Sequence, residues 1–311
     1  MEIKNLRLLS ASTQSPAGVQ LAVAITWLTA GANFLGFKIA VGAIPPFLMM
    51  SLRVGVAGLL LLLALFAMRI SFPRFDLRPY RDACLSGFLF LALGQGLIVA
   101  GVQYVGAGYA ALLAATAPLM TAMIAWILAG ARPGNQAIAG ILLGFGGLLL
   151  LIVPSLGIPG TAKGVGLILA GTLAWGAGMH HATTMRRPES ALVATVLQML
   201  PASVILLIMS AVSGEWDAFV ASSVSVDAWA ALAYLIIVGS LLGYSAFVWI
   251  LPRVSPQVAN SFFYVGPVIA LFLGWMVLEE TVRPLELVGA LITLAGVALM
   301  ISSPRLVRRG Q

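Results

Sequence analysis

Unbroken runs of about 20 apolar residues constrain this sequence more than any other feature. At about 1.5 Å of rise per residue, a helical run of that length crosses the roughly 30 Å hydrocarbon core of a bilayer. Ten runs qualify, at about 18–40, 45–68, 80–102, 107–129, 136–153, 164–185, 190–212, 228–251, 256–278 and 285–302. Their apolar residues are continuous rather than alternating, which selects helices over the strands of a barrel. Pro45 and Pro46 open the second run, and Pro73, Pro79, Pro133, Pro154, Pro159, Pro188, Pro252 and Pro284 sit in the short connections, where a residue without an N–H breaks no helix. Composition agrees: 61% of the 311 residues are hydrophobic and 9% are charged, against about a quarter charged in a soluble domain. The expected fold is an all-α integral membrane protein.

The second half of the chain repeats the first. Shifted back by 149 residues, Pro267 falls on Pro118, Gly289 on Gly140, Gly296 on Gly147, Leu299 on Leu150 and Gly243 on Gly94. Ten spans in two copies give five per copy, and an odd number turns the second copy over in the membrane. The expected architecture is therefore ten transmembrane helices as two inverted five-helix repeats, at 18–153 and 164–302. A tail at 1–17 and a basic tail at 303–311 flank them. Inverted copies can exchange roles between inward-open and outward-open states, a device of transporters. Duplication alone would also produce a ten-helix scaffold that moves nothing.

Lys and Arg set the orientation. With the N-terminus inside, the cytoplasmic segments carry Lys4, Arg7, Arg69, Arg74, Arg78, Arg81, Arg132, Arg186, Arg187, Arg253, Arg305, Arg308 and Arg309. The outer segments carry only Lys38, Lys163 and Arg283. The chain is thus expected to be multi-pass in the cell inner membrane with both termini cytoplasmic. Its net charge of +7 reads as a topology signal and not as a nucleic-acid surface. The single cysteine, Cys84, excludes an intrachain disulfide and a Cys-based metal cage. No metal or cofactor is expected. The expected partners are a small-molecule substrate and the lipid bilayer, with the chain a monomer or a homodimer.

Several motifs carry a family likeness. Leu173–Ala174–Trp175–Gly176–Ala177–Gly178 opens the second copy, and Val265–Gly266–Pro267–Val268, Glu279–Glu280 and Leu287–Val288–Gly289–Ala290–Leu291–Ile292 with Gly296 close it. In the first copy stand Ala30–Gly31–Ala32–Asn33–Phe34 with Lys38, Arg53 in Ser51–Leu52–Arg53, and Ala117–Pro118–Leu119. With these the chain resembles the EamA-type members of the drug/metabolite transporter superfamily over nearly its whole length. It departs from that pattern at Ala30, where the family usually has Trp, and at Gly130–Ala131, where a Glu often closes the fourth helix. The resemblance implies a ten-helix exporter of small metabolites with a central cavity between its halves.

Ionisable residues inside a membrane cost about 2.5–3.5 kcal/mol each on insertion scales and are functional hypotheses by default. Arg53 lies about eight residues into the second run. It can bind a substrate carboxylate bidentately, or cap helix carbonyls and snorkel toward an interface. With one small gap its repeat counterpart is Gln198. Asn33, Gln95, Thr116, Trp175, Tyr244, Asn260 and Tyr264 are the other candidates for substrate binding, because amides and hydroxyls can hold a zwitterion while aromatic rings supply apolar area. Asn260, Tyr264 and Pro267 share one helical face, and their first-half equivalents are Ala111, Ala115 and Pro118. Pro118 and Pro267, matched near mid-span, are the candidate hinges, each removing one helical hydrogen bond. His180 is a candidate for proton coupling. His180 and His181 are adjacent on a helix, about 100° apart, and so do not share a metal. No Asp or Glu lies mid-span, which disfavours tight proton coupling through an acid.

The function these readings favour is export of small metabolites, amino acids or related amphipathic compounds, by alternating access. A drug or other metabolite carrier of the same architecture is the alternative within transport. A nucleotide diphosphate would need more buried cations than one Arg. An integral-membrane transferase would need an HExxH motif, an Asp cluster or an activated nucleophile, and the sequence has none of these. The chain is not expected to be an enzyme.

Overall fold

The computed structural model describes residues 16–69, 77–130, 134–153, 160–186, 188, 190–281 and 283–302. The basic tail at 303–311, nearly all of the tail at 1–17, and Arg74, Ala131, Arg132 and Arg187 lie outside these residues, as do Pro73, Pro133, Pro154 and Pro159.

Among the described residues every regular element is helical. In chain order the apolar helices are α1 (Pro16–Val41), α2 (Pro46–Ala67), α3 (Leu77–Val102), α4 (Ala107–Leu128), α5 (Asn135–Leu150), α6 (Thr161–Thr184), α7 (Ala191–Val212), α8 (Val226–Ile250), α9 (Phe262–Leu278) and α10 (Pro284–Met300). Among them α1 to α4 and α6 to α8 are long and apolar enough to cross a membrane, while α5, α9 and α10 are shorter. The ten expected spans therefore appear as seven full-length helices and three short ones. The shortening of α9 has a local cause: a turn at Asn260–Ser261 detaches the single turn Pro256–Ala259 from its start.

The halves match in detail once the gap is placed. The helices α2 and α7 are each 22 residues long and begin 145 residues apart, at Pro46 and Ala191. The helices α3 and α8 begin 149 residues apart, at Leu77 and Val226. The extra four residues of the second half therefore lie in the connection 213–225, which folds into the short helices Glu215–Ala218 and Ala221–Ser223. Contacts between helices respect the interchange of halves. The pair α1–α9 is mirrored by α6–α4, and α3–α6 by α8–α1, while α2 packs on its own equivalent α7 and α5 on its own equivalent α10.

Both self-equivalent pairs run antiparallel. Along α2, Ser51 and Gly55 meet Ser203, and Gly58 meets Met199 and Leu200. Along α5, Gly140 meets Met300 and Gly296, and Gly147 meets Thr293 and Gly289. Gly144 and Gly296 bring the α5 and α10 backbones into direct contact, the close approach that small residues permit where no apolar driving force acts between helices in lipid. Thr293 Oγ1 donates to Gly289 O at 2.8 Å and reaches Gly144 O at 3.4 Å. Gly140, Gly144 and Gly147 of α5 thus pack on α10 within the chain.

Two features of the helices escape a reading of apolar periodicity. First, α3 and α8 each contain a π-helical segment, Phe88–Gln95 and Leu235–Tyr244. Gln95 and Tyr244 end them and are equivalent by the 149-residue offset. Second, the matched prolines sit differently. The helix α4 is broken at Ala115–Thr116, and Pro118 lies in the first turn of the segment that restarts at Ala117, where a missing N–H costs nothing. Pro267 lies inside α9. The expected pair of equal mid-span kinks is corrected to one clean break and one interior proline. Side-chain hydrogen bonds lie at both breaks. Thr116 Oγ1 donates to Leu113 O at 2.7 Å in the first, and Trp27 Nε1 donates to Ser261 Oγ at 2.8 Å beside the second.

Helix ends are tied by charges. Gly130 and Glu279, equivalent by the offset, both close their helices in the left-handed region, at φ 62° and 54°, so the expected departure at Gly130 is conformationally neutral and Glu279 carries the strain. The Glu280 carboxylate accepts from Ala107 N at 2.6 Å and Gly108 N at 3.1 Å, capping α4. Lys38 Nζ donates to Val102 O at 3.1 Å and Val105 O at 2.7 Å at the end of α3. Glu215 accepts from Phe47 N and Leu48 N at 3.1 and 2.9 Å, at the start of α2. Each carboxylate meets the positive end of a helix and the ammonium meets a negative end.

Candidate functional site

The site is built around a buried cation. Arg53, on α2, is 1% exposed. Its Nε donates to Ser240 Oγ at 2.8 Å and Leu235 O at 3.3 Å, both in the π segment of α8. Its Nη1 donates to Gln95 Oε1 at 2.6 Å, at the end of the π segment of α3. Its Cζ lies 5.0 Å from the centre of the Phe37 ring, a cation–π distance. Among the described residues Nη2 has no hydrogen-bond acceptor and no carboxylate pairs with the guanidinium. The sequence reading left capping and substrate binding open for Arg53. The structure shows a side chain that ties α2, α3 and α8 together with Nε and Nη1 and keeps Nη2 in reserve.

Arg53 lines a cavity of about 50 Å³. Thr26, Thr29, Ala30 and Asn33 of α1 form one wall, and Gly239, Gly243, Tyr244 and Phe247 of α8 another. Arg53, Gln95, Trp175 and Phe262 complete the lining. Among the described residues no acidic side chain lines it. The helices α1 and α8 come together here because α8 is glycine-rich at the contact: a side chain on Gly243 would strike Thr29 Oγ1 at 2.5 Å, and one on Gly239 would strike Asn33 Oδ1 at 2.6 Å. Asn33 Oδ1 is buried without a hydrogen-bond partner. The apolar end is an aromatic cluster in which Trp175 lies 4.8 Å from Phe90, 5.3 Å from Phe247 and 5.9 Å from Phe262, ring centre to ring centre.

Of the residues expected from sequence, the cavity gathers Asn33, Arg53, Gln95, Trp175 and Tyr244. Thr116, Asn260 and Tyr264 are not among its lining residues. Thr116 is fully buried with its hydroxyl spent on Leu113 O. Asn260 sits behind the wall, accepting from Trp175 Nε1 at 3.4 Å. Tyr264 is half-buried with its hydroxyl unpartnered. His180 does not line the cavity either, and its neighbour His181 touches Asp82 O through Nε2 at 3.2 Å. Sequence reasoning missed Thr26, Thr29, Ala30, Gly239, Gly243, Phe247 and Phe262 as lining residues. Repeat matching had flagged Gly243, and Ala30 stood in a motif, but nothing local marked the others.

The geometry is that of a polytopic helical protein whose halves together line a cavity, with Arg53 the one cationic side chain among the described lining residues. The chain belongs to the EamA-like transporter family, whose model matches residues 18–153 and 162–302. It is similar to the "Uncharacterized inner membrane transporter YedA" of Escherichia coli (strain K12), 33% identical over 270 residues, 86% of this chain and 85% of that one. It is 25% identical over 290 residues to the "Uncharacterized transporter YoaV" of Bacillus subtilis (strain 168), covering 89% and 93% of the two chains. A WAT1-related chloroplastic protein of Arabidopsis thaliana is 30% identical over 273 residues, 82% of this chain and 62% of that one. A crystal structure covering 95% of this chain and 100% of its own superposes with a TM-score of 0.63 at 17% identity, which supports the fold alone. The protein is a membrane transporter and not an enzyme.

Proposed function

We propose that this chain exports small metabolites, amino acids or related amphipathic compounds, across the inner membrane by alternating access between two inverted five-helix repeats. All ten helices cross, in domains 18–153 and 164–302, with both termini in the cytoplasm. One observation carries the substrate reading: a buried guanidinium with an unused N–H edge faces a cavity that holds no acidic residue. A buried charge is tolerated when a partner offsets its desolvation, and here a substrate carboxylate is the partner. Asn33, Gln95, Trp175 and Tyr244 contact the substrate with Arg53, while Thr116, Asn260 and Tyr264 support the wall behind them. The antiparallel self-pairing of α2 with α7 and α5 with α10 supports inversion of the halves. Rocking about Pro267 and the break before Pro118 alternates access. With no acid in the cavity and His180 outside it, transport is a uniport or weakly coupled.

Reconstitution into liposomes with labelled amino acids, with and without a proton gradient, tests the reading. Uptake in both conditions is the expected result. If no small solute moves in either, the exporter reading is lost.

A further inference from the structure

Glu280 and Glu215 fasten the second half to the first at one end of the bundle. Glu280, between α9 and α10, caps the start of α4 through Ala107 N and Gly108 N, at 2.6 and 3.1 Å. Glu215, between α7 and α8, caps the start of α2 through Phe47 N and Leu48 N, at 3.1 and 2.9 Å. Both carboxylates belong to the second half and both helix starts to the first. Lys38, in the last turn of α1, bonds Val102 O and Val105 O, and the Glu280 carboxylate attracts its ammonium. The short connection 42–45 from α1 to α2 keeps these ties at the same end.

The inverted copy does not repeat this set at the other end. On the offsets of the repeat, Glu280 corresponds to Ala131, Glu215 to Ile70 and Lys38 to Thr183. The Thr183 hydroxyl donates to His180 O in its own helix. Ala107 corresponds to Pro256, which has no N–H for a cap. Where Glu215 meets Leu48 N, the equivalent Val193 N reaches the neutral Ser190 Oγ, at 3.5 Å. That end has a different charged tie: Asp82 accepts from Arg186 N at 3.0 Å and joins the start of α3 to the segment after α6. The start of α1 and the end of α8 meet there through Ala22, Val23 and Ile250, with Trp27 and Trp249 packed on them. Trp27 also reaches the α9 break through its neutral bond to Ser261. The cavity lining follows this seam, from Asn33 and Gly239 to Thr26, Phe247 and Phe262. At about 50 Å³ the cavity is far below the roughly 300–1,000 Å³ of sites that enclose a small ligand, so a ligand enters only after the seam parts.

We propose that Glu215, Glu280 and Lys38 form a one-ended latch that keeps the carrier shut at their end in its resting state, and that substrate enters from the opposite end by parting α1 from α8. Charge-assisted bonds at helix ends are stronger than neutral ones, so the end that carries them yields second. The seam, held by apolar contacts and the Trp27–Ser261 bond, yields first. On the orientation read from Lys and Arg the latch faces outside, and the resting carrier loads from the cytoplasm. The proposal rests on the transport reading above and adds to it which gate is closed at rest.

The test uses full-length protein carrying Cys84→Ala and one pair of introduced cysteines, spin-labelled in lipid nanodiscs, with distances read by pulsed electron paramagnetic resonance. Gln103→Cys with Thr281→Cys, on exposed residues of opposite halves, reports the latch end, and Gln20→Cys with Pro252→Cys reports the seam. A single short distance is expected at the latch end. Glu215→Gln combined with Glu280→Gln keeps an acceptor oxygen at each site and removes the charge. It is expected to raise the population of a longer latch-end distance about tenfold and to leave the seam distance unchanged. Each substitution alone is expected to give a smaller rise, which keeps the test decisive if the double variant does not fold. Trp27→Phe removes the bond to Ser261 and is expected to lengthen the seam distance with the latch end unchanged. A latch-end distance already long with both carboxylates present, or one that responds to none of the Gln variants, overturns the latch. A seam distance that does not respond to Trp27→Phe overturns the entry route. These distances need no transport assay. If liposomes carry solute while the distances fail, the latch alone falls; if they carry none, the transport reading falls and the latch with it.

Discussion

Arg53 and Gln198 hold the same place in the two halves: each is the eighth residue of a 22-residue helix, and each bonds the residue that ends the next π segment of its own half. Arg53 Nη1 donates to Gln95 Oε1 at 2.6 Å, and Tyr244 OH donates to Gln198 Oε1 at 2.6 Å. One contact has been kept through the doubling while its chemistry diverged, charged in one copy and neutral in the other. The neutral pair makes the same tie without a charge, so the tie and the charge are separable, and in the first half Nε adds bonds to Ser240 Oγ and Leu235 O.

Arg53→Gln tests that separation. Gln is the residue the second half already uses at the equivalent position; it keeps a polar group beside Gln95, removes the desolvated charge and gives up the Nε bonds to Ser240 and Leu235. Thermal unfolding in detergent is expected to shift by only a few degrees, while transport falls at least tenfold, about 1.4 kcal/mol. Wild-type transport by the variant would discard the substrate role of Arg53.

Pro267 and Pro118 are expected to differ in consequence. Pro267→Ala restores an interior hydrogen bond to α9 and stiffens it, so turnover slows several-fold with little change in binding. Pro118→Ala changes the first turn of a helical segment, where no bond was missing, and leaves turnover near wild type. Liposome kinetics over a substrate series distinguish the two. Equal effects from both substitutions would remove the asymmetry.

Glu280 is seated between Gly106 and Gly274, where added side chains would come within 2.9 and 2.7 Å of its Oε2. Glu280→Ala leaves Ala107 N and Gly108 N unpaired and is expected to cost about 1–3 kcal/mol. Gly274→Ala displaces the same carboxylate. The double variant should be little worse than either single one, because both break one contact. Additive losses in thermal unfolding would show that Gly274 acts through something other than Glu280.

Gly296 on α10 and Gly146 on α5 contrast in what surrounds them. A side chain on Gly296 runs into the backbone of Gly144, which cannot yield, whereas one on Gly146 meets nothing within 4 Å. Gly296→Ala is expected to cost about 1–3 kcal/mol as an overpacked contact. Gly146→Ala is expected to be neutral or slightly stabilising through helix propensity. Thermal stability of the two variants, measured side by side in one detergent, checks both.

His180 stands outside the cavity lining. His180→Gln is expected to keep transport and its pH dependence unchanged. A flattened pH profile or a lost response to an imposed proton gradient would restore the coupling role that the sequence suggested for it.

Sequence alone determined the solvent and the plan. Apolar runs of membrane length leave backbone groups no partner but their own helix, so the helices, their order and the doubling were all legible. Arg53 was also legible, because a charge inside an apolar run is expensive enough to stand out. Five of the cavity residues carried polar or aromatic side chains that drew attention for the same reason. The tertiary structure decided what apolar periodicity does not encode. The π segments shift the faces of α3 and α8 at Gln95 and Tyr244, and no residue type marks them. Gly239 matters through the side chain it lacks, beside groups from α1 and α2 that lie far from it in sequence. Thr116 and Asn260 looked available in sequence but spend their polar atoms on Leu113 and Trp175. A polar residue in a membrane helix announces that it needs a partner, and only packing shows whether the protein supplies one, as it does at Thr116, or not, as at Asn33 Oδ1.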